Sequence, residues 1–123
     1  MSAETKPEYL SVERGMEFIG DAAGFLSLLQ TLHKTLKTDI PEISRLLQLS
    51  DVPAANRLLH QLKGFTPVFC VDALVEEVIA VEKLSKQGAP QAVREAFVRL
   101  SPKLDQLREE VAGHLQAHQI SVG

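Results

Sequence analysis

Apolar side chains recur at every third or fourth position along most of the chain. The longest such pattern runs from Phe25 to Leu47, and similar patterns follow after Asp51, after Asp72 and after Pro90. This spacing places side chains on one face of an α-helix, whereas a half-buried strand requires alternation at every second residue. No alternating stretch is visible. The pattern therefore predicts an all-α protein.

Capping residues and helix breakers divide the first half of this pattern. A short helix is predicted over 11–19, ending at Gly20, and Asp21 is a good N-cap for the helix that follows. Pro41 interrupts that second helix. We expect one long helix with a kink, and two helices that restart at Asp39 are the alternative.

Three further helices are predicted in the second half. Asp51 is placed to cap the third, which runs to about residue 66 or 69, and the fourth covers about 72–87. The last begins near Pro90 and keeps a seven-residue rhythm across Pro102, so we expect a kink there without a change of direction. Four substantial amphipathic helices with short connections predict an antiparallel up-down four-helix bundle, with the first helix as a short extra N-terminal element.

Composition and charge narrow the class of protein further. The 123 residues are 45% hydrophobic, which fits one domain, predicted over 8–123 behind a flexible segment 1–7. A net charge of −3 gives no reason to expect a nucleic acid or an anionic membrane as partner. No signal peptide and no apolar run of about 20 residues is visible. A lone cysteine, Cys70, excludes an internal disulfide and fits a reducing compartment, so a cytoplasmic location is expected.

The segment “LLHQLKG” brings His60, Lys63 and Gly64 together on the third helix. At about 100° per residue, His60 lies about 140° and Gly64 about 180° from the centre of the buried stripe, and Lys63 borders them at about 80°. A glycine inside a helix costs about 1 kcal/mol relative to alanine, so its presence beside an exposed imidazole indicates a function. A neutral imidazole is a good nucleophile, and phosphoryl transfer onto it requires positioning and a nearby positive charge. A solvated histidine without a function is the alternative.

The run His60-Gln61-Leu62-Lys63-Gly64 is similar to the motif of histidine-containing phosphotransfer (HPt) domains, which lies on the second main helix of a four-helix bundle. The resemblance extends over about residues 10–117 and includes the segments 15–36, 46–64 and 73–88. A five-residue motif alone is a weak signal, but here it stands in the expected helix of a bundle of the expected size.

The resemblance implies a role for each matching residue. His60 would receive the phosphoryl group on its outer ring nitrogen, Lys63 would steady the phosphoryl oxygens, and Gly64 would leave room for the partner. Glu82, in “VEKL”, matches the position of a carboxylate or amide that accepts a hydrogen bond from the inner ring nitrogen. An ordinary solvated glutamate is the alternative for Glu82.

The expected docking rim around the histidine includes Asn56, Gln61 and Pro67. Pro67 belongs to the segment “FTPVFC” (65–70), which departs from the resemblance because the family usually has small residues and a glycine there. Phe65 and Phe69 could fill the core, or one of them could enlarge an apolar docking patch.

The function that the resemblance implies is that of a phosphorelay intermediate. Such a protein accepts a phosphoryl group from the phosphoaspartate of a receiver domain and passes it to another receiver. It is a stoichiometric carrier and not an enzyme, without a cofactor of its own, because the divalent metal belongs to the receiver. A monomer is expected. The alternatives are an HPt-like module that binds receivers or another regulator without carrying phosphate, and a helical adaptor in which His60 is incidental.

Two other patterns are given a structural interpretation. Glu110, His114 and His118 recur at intervals of four, a spacing that can hold zinc, but nothing else clearly supplies the remaining ligands, so we interpret them as solvated residues near a helix end. Cys70 is interpreted as a small packing residue. No glycine-rich phosphate loop is present, so the chain is not expected to bind ATP.

Overall fold

A computed structural model describes residues 7–122 and contains five helices within that range. The predicted flexible segment 1–7 lies outside the described residues except for Pro7. The all-α class and the short extra N-terminal helix are confirmed. The helices are α1 (Val12–Ile19), α2 (Ala22–Gln48), α3 (Val52–Phe69), α4 (Asp72–Lys86) and α5 (Pro90–Ala117).

Side-chain caps start the first three helices, and the caps of α2 and α3 are the residues that the sequence predicts. Ser11 Oγ accepts the backbone N–H of Arg14 at 3.2 Å. Asp21 Oδ1 accepts an N–H in the first turn of α2 at 2.6 Å, and Asp51 Oδ1 does the same in α3 at 3.2 Å. Each bond satisfies a donor that has no partner within its own helix. Gly20 ends α1 with φ at 90°, a backbone conformation that favours glycine.

Three helices continue through an internal proline: Pro41 in α2, Pro67 in α3 and Pro102 in α5. All three prolines are exposed, so water can reach the carbonyl that the missing N–H would have bonded. The prediction of one long second helix is therefore right, and the alternative restart at Asp39 is wrong.

Helices α2 to α5 form the bundle. α2 packs against α3 and α5, and α4 packs against the same two helices. Because the connections between consecutive helices are only two or three residues long, neighbours in sequence run antiparallel. α1 lies against α2 and α3. No helix within residues 7–122 is long and apolar enough to cross a membrane.

Most apolar side chains of the α2 pattern are buried, but Leu28 is 45% exposed. The buried side chains between Phe25 and Leu36 include His33 and form a broad stripe. Leu28 lies at the edge of this stripe. The seven-residue rhythm predicted for α5 is buried at every position. Its members are Val93, Phe97, Leu100, Leu104, Leu107, Val111 and Leu115.

The end of α3 is tied to the segment before α1. Cys70, fully buried, forms an isolated antiparallel bridge with Leu10, and Phe69 accepts the backbone N–H of Ser11 at 2.7 Å. Phe69 is buried and Phe65 is half-buried against the core. Both phenylalanines of the unusual segment 65–70 therefore contact the core, and only Phe65 keeps part of its ring at the surface.

Candidate functional site

His60 lies in the middle of α3 with its ring in solvent. Its side chain is 67% exposed, in agreement with the helical-wheel argument. The imidazole is anchored on a well-packed helix because the flanking Leu59 and Leu62 are fully buried. The ring is thus accessible to a large partner and yet held on a rigid element.

Glu82, on α4, lies directly behind this ring. Its Oε2 atom is 3.5 Å from His60 Nδ1, and its side chain is only 1% exposed. The alternative of an ordinary solvated glutamate is therefore wrong. The inner nitrogen of the imidazole faces a buried carboxylate, and the outer nitrogen belongs to the exposed side of the ring.

The two oxygens of the Glu82 carboxylate have different partners. Oε2 accepts a hydrogen bond from Asn56 Nδ2 at 3.1 Å and faces His60. Oε1 accepts a hydrogen bond from Lys63 Nζ at 3.3 Å and lies 3.5 Å from Lys86 Nζ. A buried carboxylate is tolerated only with such compensation, because taking an unpaired charge out of water is costly.

These partners keep Glu82 ionised at neutral pH. Burial would raise the pKa of the carboxyl group, but the hydrogen bonds from Asn56 and Lys63 and the charges of Lys63 and Lys86 outweigh burial. The pKa therefore lies below the ordinary value of 4.5. An ionised carboxylate beside Nδ1 favours a proton on that nitrogen.

Asn56 also reaches beyond the carboxylate. The same Nδ2 atom lies 2.7 Å from Ser85 Oγ and 3.4 Å from the Glu82 backbone carbonyl. Ser85, which is buried, donates its hydroxyl to that carbonyl at 2.6 Å. Asn56, predicted at the docking rim, is half-buried and turned toward α4.

The remaining predicted residues share the exposed side of α3. Gln61, Gly64 and Pro67 are all exposed, and His60, Gly64 and Pro67 are separated by four and three positions, which places them on one face. A Cβ atom built on Gly64 would meet nothing within 4 Å. The surface beside the imidazole is therefore open.

Two members of the site do not appear among the sequence predictions, Ser85 and Lys86. They follow Glu82 by three and four residues, so a helix brings all three to one face. The sequence shows this spacing, but Ser85 and Lys86 can be assigned to the site only when Glu82 is known to be buried.

The Glu110, His114 and His118 series takes no part in this site, and its interpretation as solvated residues is wrong for Glu110 and His114, which are half-buried. Glu110 binds backbone N–H groups of residues 8–10, His114 packs edge-on against Phe25, and the two histidine rings lie 4.5 Å apart. Within residues 7–122, no group of three or more potential metal-binding side chains is placed to hold an ion.

Comparison with known proteins agrees with this architecture. The family model of the Hpt domain matches residues 27–117, which is most of the chain and includes both α3 and α4. The chain therefore belongs to the Hpt domain family, the histidine-containing phosphotransfer modules of phosphorelays.

One curated relative is the virulence sensor protein BvgS of Bordetella pertussis (strain Tohama I). It is 29% identical over 80 residues, which are 64% of this chain and 6% of the relative. The matched region thus spans only a small part of that much longer protein. No solved structure matches.

Proposed function

We propose that this protein carries a phosphoryl group on His60 Nε2 between receiver domains of a phosphorelay. The observation that supports this most is the exposed imidazole whose inner nitrogen faces a buried, ionised carboxylate. Membership of the Hpt family supplies the reaction class, and the geometry around His60 fits what that reaction requires.

The carboxylate prepares the ring for attack. With the proton on Nδ1 facing Glu82, the lone pair of Nε2 is free and points to solvent. It attacks the phosphorus of the receiver's phosphoaspartate, the P–O bond to the aspartate breaks, and the aspartate carboxylate leaves with the electron pair. The imidazole becomes positively charged, and the Glu82 carboxylate stabilises that charge.

Lys63 is proposed to steady the phosphoryl oxygens. In this structure its ammonium group is held by Glu82 and its side chain is one-third exposed, so a rotation of its flexible stem can bring the charge toward a group on Nε2. Lys86 also neighbours Glu82 Oε1 and is more exposed. The carboxylate therefore keeps a positive neighbour when Lys63 turns away.

The partner is proposed to be a receiver domain that docks on the exposed side of α3. Gly64 leaves space for its approach, and Gln61 and Pro67 flank the contact. The divalent metal that receiver chemistry requires would belong to the partner. This chain then acts as a stoichiometric carrier and has no kinase activity of its own.

The unusual segment 65–70 does not argue for a module that only binds. Its two phenylalanines pack inward, Cys70 is buried, and the helix continues unbroken to Phe69. Only Pro67 reaches the face that His60 occupies. The segment thus adds one exposed ring to the docking face and leaves the imidazole and Glu82 in place.

The test is incubation with a receiver domain carrying a radiolabelled phosphoaspartate, beside His60→Gln as the matched variant. Label that is stable in alkali and lost in acid is expected on the wild type and absent from His60→Gln. Receiver binding without label on either protein would contradict phosphoryl transfer and indicate a binding module. Equal label on both proteins would place the acceptor elsewhere.

A further inference from the structure

We propose that Asn56 is a positioning residue for phosphoryl transfer, because it fixes the Glu82 oxygen that faces the imidazole. This inference rests on the proposed roles of His60 and Glu82. It gives Asn56 a place inside the site, one helical turn before His60 on α3, in addition to the predicted place at the docking rim.

The division of partners at the carboxylate is the first reason. Both lysines contact Oε1, whereas Asn56 donates to Oε2, the atom that lies 3.5 Å from His60 Nδ1. The two lysines have long, partly exposed side chains that keep much of their rotational freedom. Asn56 has a short side chain, so its amide determines how the carboxylate plane is turned toward the ring.

The orientation of the amide is itself determined by its neighbours. Ser85 donates its hydroxyl proton to the Glu82 backbone carbonyl, so its Oγ atom can only accept a hydrogen bond from Asn56. The ionised Glu82 carboxylate can only accept. Both groups therefore require the NH₂ end of Asn56, and the reversed amide would place its carbonyl oxygen against a negative charge.

Loss of this amide has a specific consequence for the imidazole. Without a donor at Oε2, the carboxylate is free to turn toward the two lysines at Oε1, and the acceptor opposite His60 Nδ1 is no longer fixed. A smaller fraction of neutral rings then carries its proton on Nδ1, and the lone pair needed at Nε2 is present less often. A purely structural role for Asn56 would change stability and leave this tautomer fraction unchanged.

The test compares Asn56→Ala with wild type and with Arg57→Ala, a control at the next position of α3 whose side chain is exposed. The first readout is the ¹⁵N chemical shifts of the His60 ring at a pH where the ring is neutral. The second is the rate of phosphorylation by phosphoramidate, a small donor that needs no docking surface. In that reaction Nε2 attacks phosphorus, the P–N bond breaks and ammonia leaves with the electron pair.

Asn56→Ala is expected to lower the fraction of the Nδ1–H tautomer and to slow phosphorylation about tenfold, the usual effect of losing one hydrogen bond to a charged group. Arg57→Ala should match the wild type in both readouts. A folded Asn56→Ala protein with the wild-type tautomer fraction would overturn the inference, whatever its rate.

Two further outcomes remain decisive. If Asn56→Ala does not fold, Ser85→Ala takes its place, because it removes one acceptor of the amide and keeps the bond to Oε2. A smaller change in the same direction supports the inference, and no change overturns it. If the wild type accepts no phosphate from any donor, the proposed function fails, and the tautomer comparison alone then decides the role of Asn56.

Discussion

Two carboxylates of this bundle, the buried Glu82 and the half-buried Glu110, are stabilised in different ways. Glu110 is surrounded by fixed donors, because its oxygens accept the backbone N–H groups of Glu8, Tyr9 and Leu10 at 2.8 to 2.9 Å. Glu82 has side-chain partners, two of which are flexible lysines, and one of its oxygens faces the exposed ring of His60.

The pKa of both groups is lowered, so a lowered pKa alone does not distinguish them. For Glu110, burial alone would raise the pKa. The hydrogen bonds from Gln106 and from the three backbone N–H groups outweigh burial, so the pKa is lowered. What distinguishes the two is the freedom of the partners. Backbone donors cannot leave Glu110, so it serves as a clamp on the N-terminal segment. The lysines at Glu82 can turn to a new anion, and the imidazole can change its charge.

The largest expected difference lies in phosphoryl transfer. Glu82→Ala removes the hydrogen-bond acceptor and the negative charge behind the imidazole and should slow transfer to His60 by about 10- to 100-fold, the range known for losing a carboxylate that orients a metal-bound histidine. Glu110→Ala should transfer at the wild-type rate. Rates from a phosphorylated receiver measure both. Equal rates in the two variants would mean that Glu82 has no role in transfer that Glu110 lacks.

The next expected difference lies in stability. Glu110→Ala leaves backbone N–H groups of residues 8–10 without their acceptor and should lower the free energy of unfolding by about 1–3 kcal/mol. Urea denaturation measures the loss, and amide exchange locates it at the N-terminal segment. Glu109→Ala, at an exposed neighbouring position, is the control and should change little. A loss of the same size in both variants would contradict the clamp.

Acid titration tests the stabilising role of Glu110 independently. Because the folded pKa of Glu110 is depressed below 4.5, its contribution to stability is present above that value and is lost as the pH falls through the folded pKa. As the pH falls below about 5, the free energy of unfolding should therefore fall less steeply in Glu110→Gln than in the wild type. Parallel curves would mean that the backbone donors do not stabilise the charged form.

The smallest expected effect concerns two glycines inside helices. A Cβ on Gly64 or on Gly113 meets no atom within 4 Å, so alanine at either position should stabilise the bundle by about 0.5–1 kcal/mol. Thermal unfolding tests this. A bulky residue should separate the two positions, because Gly64→Leu is expected to slow transfer from a receiver and to leave transfer from phosphoramidate unchanged.

Gly113→Leu is the matched control for that substitution and should transfer normally from both donors. If Gly64→Leu and Gly113→Leu accepted phosphate from a receiver at the same rate, Gly64 would have no part in partner access.

The elements of the fold could be predicted because their signals are local. Asp21 and Asp51 cap α2 and α3 as the sequence predicts, and the rhythm of α5 is buried throughout. The exposure of Leu28 could not be predicted, because a helical pattern gives the direction of a buried stripe better than its width. The width depends on which helices pack against it, and that is a property of the assembled bundle.

The site could be predicted only in part for a related reason. The exposure of His60 can be predicted from the positions of the apolar residues on α3. The role of Glu82 is predicted by the resemblance to the family. The burial of Glu82 could not be read from “VEKL”, because it arises where α4 packs against α3. The contacts of Asn56 and Ser85 join residues 29 positions apart, a distance over which periodicity carries no information.

The position of the phosphoryl group on the phosphorylated protein tests the proposed role of His60. Proton–¹⁵N correlation spectra of the histidine rings distinguish attachment at Nε2 from attachment at Nδ1 and separate His60 from the other three histidines. We expect a single modified ring, that of His60, with phosphorus on Nε2 and a proton on Nδ1. Phosphorus on Nδ1 of His60, or on any other residue, would contradict this role.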